Sequence, residues 1–128
     1  MKYLSVIAIA VLMFSGTAFA ESSADYTGKD LFNAATTSIK ESKGEEVTAE
    51  DKINALYWTG YVTGFDDASV ITHVGGKNKF VNLPANGVNP LQVMTIVHEY
   101  LSNNPEMLNE SARVCLLTAL GKAFPAER

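Results

Sequence analysis

The chain reads as an all-α protein, a small bundle of four main helices plus short helical turns, with a long loop between the second and third helices. Three observations predict it. Helix-start signals recur at Thr27/Asp30, Thr48/Asp51, Asn89-Pro90 and Asn109. Apolar residues behind each start step by three and four. No stretch alternates with the period of two that a half-buried strand requires.

The first element is not part of the bundle. Lys2 precedes an apolar run from Tyr3 to Phe14, and Ala18-Phe19-Ala20 supplies the small residues that a signal peptidase accepts. Residues 1–20 therefore read as a cleaved Sec-type signal peptide, and 21–128 as the folded domain. The apolar run is shorter than the ~20 residues of a spanning helix, so the expected location is the periplasm, with no membrane attachment after cleavage. The leader carries one Lys and no acid. The remainder has 9 basic and 14 acidic side chains, a net −5, which argues against nucleic acid as a partner.

Thr27 and Asp30 form a capping pair, and Leu31, Ala35 and Ile39 make a narrow apolar stripe behind them. The second helix carries Ile53, Leu56, Tyr57, Gly60, Tyr61, Gly64, Phe65 and Ala68 on one broad face. That face is the expected core side. Trp58 falls at its edge, where dimer or partner contacts are the competing reading. Gly60 and Gly64 each cost about 1 kcal/mol in a helix interior relative to Ala; close approach of a neighbouring helix explains the expense. Asp66-Asp67 reads as the solvated end of this helix.

From Thr72 to Gly87 the periodicity stops. Gly75-Gly76 and Ala85-Asn86-Gly87 are turn signals, and 79–83 is a candidate short extended piece limited by Pro84. Loops of this length in compact domains are commonly functional. Asn89-Pro90-x-Gln92 opens the third helix, with Val93, Met94, Ile96, Val97, Tyr100 and Leu101 on its apolar face. Asn103-Asn104-Pro105 stops it. Asn109 is the expected cap of the last helix, whose Ala112, Leu116, Ala119, Leu120 and Phe124 face inward.

Catalytic chemistry finds little material. His73 and His98 are the only imidazoles, and no His-x-x-x-His, Cys-x-x-Cys or serine elbow occurs. Cys115 stands alone between Val114 and Leu116. An internal disulfide is impossible, and a packed core thiol is expected in preference to a reactive one paired with His98. The chain reads as a non-enzyme without cofactor or metal.

In order along the chain, Gly60-Tyr61-Val62-x-Gly64-x-x-Asp67-Ala68, Leu83-Pro84-x-x-Gly87-Val88, Gln92-x-x-x-Ile96-Val97-x-x-Tyr100-Leu101, Asn104-Pro105-Glu106 and Ala119-Leu120-x-x-Ala123-Phe124-Pro125 resemble the Rap/Tai family of type VI secretion immunity proteins. The resemblance implies an all-helical periplasmic protein, often a homodimer, that seats a loop or helix end in the cleft of a peptidoglycan amidase effector and so protects the producing cell. It implies structural roles for Gly60, Tyr61, Gly64, Pro84, Gly87, Tyr100, Pro105 and Phe124. Where relatives commonly carry Cys pairs, this chain has Trp58, Asn82 and Pro125-Ala126. The expected partner-binding residues are Gly75, Gly76, Lys77, Asn78 and Lys79, with Asp66, Asp67 and His73 nearby. A chaperone-like or other non-enzymatic binding role is the alternative, and acid-protection of a client distinguishes it.

Overall fold

The computed structural model describes residues 26–74 and 81–126, with the side chains of 73 and 74 excepted. The expected leader and the segment Gly75, Gly76, Lys77, Asn78 and Lys79 lie outside the described residues. The elements are α1 (Gly28–Ser42), α2 (Ala49–Val74), α3 (Pro90–Asn103), a 3-10 turn (Pro105–Asn109) and α4 (Ala112–Ala123). The all-α bundle and the irregular stretch between α2 and α3 are as expected.

The helix starts follow local chemistry. Thr27 and Asp30 close a full capping box, with the Thr27 N–H donating to Asp30 Oδ2 at 2.9 Å. At α2 the Asp51 N–H donates to Thr48 Oγ1 at 3.1 Å. Asn89 Oδ1 accepts from the Leu91 N–H at 2.8 Å while Pro90 occupies the first turn of α3. The last helix differs from expectation. Asn109 ends the 3-10 turn, and the cap of α4 is Ser111, with no side-chain cap bond. Backbone bonding accounts for the later start. Gly28 N–H donates to Glu110 O at 2.8 Å and Ala112 N–H to Tyr26 O at 2.9 Å, an antiparallel bridge of Thr27 with Ser111 that fixes where α4 begins.

α1 lies at the centre and touches every other helix and the 3-10 turn. Leu31, Ala34 and Ala35 of α1 are buried with Val93, Met94, Val97 and Leu101 of α3 and with Ala112, Cys115, Leu116, Ala119 and Leu120 of α4. Ile96, Tyr100 and Phe124 are half-buried against this core. Small residues on α1 bring its axis close to its neighbours, and Gly28 is the extreme case. A methyl group there would collide with the Met107 carbonyl and the Cys115 sulfur.

α2 overturns the expected orientation. Its buried residues are Ala55, Trp58, Val62, Asp66 and Ser69, again at steps of three and four. Trp58, expected at the edge, is 1% exposed and forms edge-to-face contacts with Tyr26, Tyr57 and Tyr61 at 5.2–5.8 Å. Ile53, Leu56 and Tyr57, expected inside, are 70%, 61% and 51% exposed. Gly60, Gly64 and Ala68 are exposed too, while Tyr61 and Phe65 are half-buried. Among the described residues nothing lies within 4 Å of a Cβ placed on Gly60 or Gly64, so the expected close approach is not made by them. Apolar residues surround α2 on most sides, and one large indole decides which stripe turns inward.

The return from α2 to α3 is stitched to the end of the chain. Val81 pairs with Pro125 in an isolated antiparallel bridge, and Asn82 N–H donates to Phe124 O at 2.9 Å. Val81 and Leu83 are buried, which pins this stretch to the core.

Candidate functional site

A cavity between the C-terminal half of α2 and the turn before α3 brings together three of the sequence-selected residues, Asp66, Asp67 and Gly87. α2 runs on to Val74 rather than ending near Asp66-Asp67. The extension places Asp66 opposite the turn, where it is 7% exposed instead of solvated. Asp67, the next residue, is exposed.

The turn is built to meet Asp66. Pro84 O accepts the Gly87 N–H at 2.8 Å, and Gly87 takes a φ of 76°, which L side chains rarely adopt. The Val88 N–H then donates to Asp66 Oδ2 at 3.1 Å. A Cβ on Gly87 would sit 2.7 Å from that oxygen. Glycine is therefore required twice at this position, for its backbone angle and for its missing side chain. Asp66 Oδ1 has no hydrogen-bond partner among the described residues. The walls are completed by Thr63, Val70, Ile71 and Pro90 around a volume of about 530 Å³, within the usual range of ligand cavities.

The other sequence-selected residues fall elsewhere. His73 belongs to the last turn of α2. Tyr100 is half-buried between α3 and α4, with Lys122 Nζ 4.8 Å from its ring centre beside a shallower hollow of about 300 Å³. Pro105 opens the 3-10 turn, and Phe124 ends α4 and supplies the carbonyl that holds Asn82.

Cys115 and His98 are not arranged as an activated pair. The thiol is fully buried and donates to Met107 O at 3.2 Å, and burial pushes its pKa up, the opposite of thiolate activation. The His98 ring stacks on Phe32 with centroids 4.7 Å apart. Among the described residues, no three His, Cys, Asp or Glu side chains come together as metal ligands. No described helix is long and apolar enough to cross a membrane.

Gly28 escaped the sequence reading, and Asp66 is singled out there as a solvated helix end near the partner contact rather than as a buried group. Gly28 is indistinguishable from an ordinary first-turn glycine until its neighbours are known. Asp66 carries a weak signal: an acid at an α2 position three or four residues from Val62 and Ser69, on the stripe that Trp58 shares.

A family model described as Rap1a immunity proteins matches residues 27–126. No curated protein and no solved structure matches the chain.

Proposed function

Because the chain belongs to the Rap1a immunity proteins, whose role is immunity to type VI effectors, we propose that it acts in the periplasm on a peptidoglycan amidase, occluding the cleft of that enzyme. The observation that carries this reading is the match itself, which spans every described helix. The segment 75–79, with His73 before it and Asp66 and Asp67 on the last turns of α2, is the inserting region in this reading. An acidic surface suits rapid encounter with a basic effector.

The same reading includes a homodimer. Its support is the outer face of α2, where Ile53, Leu56, Tyr57 and Ile71 are all more than half exposed around the Gly60/Gly64 notch. Apolar surface of this kind marks interaction sites. Replacing Ile53 and Tyr57 by Glu should convert the dimer to monomer in light scattering, and an unchanged mass would remove this face from the interface.

The decisive experiment is periplasmic co-expression with a cognate amidase encoded beside the gene. Cells should survive only when this protein is present. Equal killing with and without it would refute the immunity reading.

A further inference from the structure

The Asp66 cavity holds an arrangement that the bundle itself does not need. Oδ2 secures the turn through Val88, but Oδ1 is buried with no donor among the described residues. A buried carboxylate oxygen without a partner is costly, and folded proteins pair such groups with protein, water or ligand. No basic side chain pairs with Asp66 or Asp67 among the described residues; the ion pair seen there, Lys52 with Glu41, joins the first turn of α2 to the end of α1, far along the helix from the cavity. A second carboxylate, Asp67, lines the same cavity and is exposed. Val70, Ile71, Val88 and Pro90 give the cavity apolar walls.

Two carboxylates, one inner and one outer, beside apolar walls match a particular shape of ligand: a cationic head on a methylene stem. A metal ion suits the cavity less well, because no third ligating side chain joins the pair among the described residues. We propose that this cavity receives an arginine or lysine side chain of the bound partner protein, its head paired with Asp66 and Asp67 and its stem laid along Val70, Ile71 and Pro90. Long cationic side chains lie on apolar surface in this way while their heads find charge. The guanidinium offers five N–H donors on a rigid plane against the three of an ammonium, so arginine is the better fit. The identity of the partner as the effector rests on the immunity reading; the cation site does not.

The test separates the two. The whole protein, labelled with nitrogen-15, is titrated with agmatine, n-butylamine or the neutral N-butylurea. Agmatine should move the Val88 and Gly87 amide signals saturably, n-butylamine less tightly, and the urea not at all. Asp66→Asn keeps an oxygen for the Val88 N–H and should abolish the saturable shift while the melting temperature holds or rises. Asp67→Asn, at an exposed position, should weaken agmatine several-fold without touching the fold. A non-saturable response, an equal response to the urea, or unchanged binding in Asp66→Asn would overturn the site and leave a buried water as the partner of Oδ1. Effector affinity should fall roughly tenfold or more in Asp66→Asn, as for a truncated buried charge pair. Agmatine binding with unchanged effector affinity would overturn the docking assignment. An effector that never binds the unmodified protein would overturn the immunity reading, and the agmatine titration would still decide the cation site.

Discussion

The two sides of α2 carry similar amounts of apolar chemistry and serve opposite ends. The inner side places one indole, small residues and one carboxylate against α1, α3 and the turn at 84–88. The outer side displays Ile53, Leu56, Tyr57 and Ile71 around two glycines that none of the described residues approaches. Apolar content does not decide burial when a helix is apolar on most sides. Shape does: Trp58 fills a space that no set of smaller residues on the outer stripe would fill.

The strongest way to break this contrast is Trp58→Ala. Removing a fully buried indole should cost about 3–5 kcal/mol, measured by urea unfolding, whereas Tyr57→Ala on the other side should cost far less. Equal losses would mean that both sides are packed. Gly28→Ala should come next. The added methyl meets the Met107 carbonyl and the Cys115 sulfur, and overpacking of this kind costs about 1–3 kcal/mol. Gly60→Ala should do the reverse, raising the stability of the dilute monomer by up to about 1 kcal/mol through helix propensity alone, and weakening self-association at higher concentration. The same substitution thus has opposite signs at two helical glycines, and thermal melting of the pair tests it.

The smallest expected effect concerns pH. Burial raises the pKa of Cys115 above its ordinary value of 9.0, and also raises those of Tyr61 and Tyr100. The folded state holds these protons longer than the unfolded chain does. Their contribution is fully present below the unfolded pKa and is lost as pH climbs through the higher folded pKa. Stability should therefore decline on the alkaline side of pH 9, beginning with the thiol. Cys115→Ala should flatten the first part of that decline, leaving the part due to the two tyrosines.

How much of this was legible beforehand depends on the element. α1 and α3 were readable because their apolar residues occupy one stripe and their caps are local: Thr27 with Asp30, Asn89 with Pro90. α4 was readable in its core residues, but not in its start. Its first residue is set by backbone bonds to Tyr26 and Gly28, more than eighty positions away. The orientation of α2 was not legible, since Ile53, Leu56 and Tyr57 match Ala55, Trp58 and Val62 in number and only the bulk of the indole separates the two stripes. The Gly-x-x-x-Gly spacing pointed to a close approach, whereas the close approach inside the chain is at Gly28. Of the candidate site, Asp66, Asp67 and Gly87 were singled out from the sequence. Their meeting was not, because it depends on α2 continuing to Val74 and on the left-handed backbone of Gly87.

The backbone bond between Asn82 and Phe124, beside the Val81–Pro125 bridge, has a practical corollary. A bulky group attached close behind Pro125 and Ala126 hangs from the strip that moors the polypeptide leading into the third helix. Load or bulk at that end should therefore disturb the return segment at 81–88, part of which lines the proposed cation cavity. Binding assays on this protein belong on material whose tail is left bare.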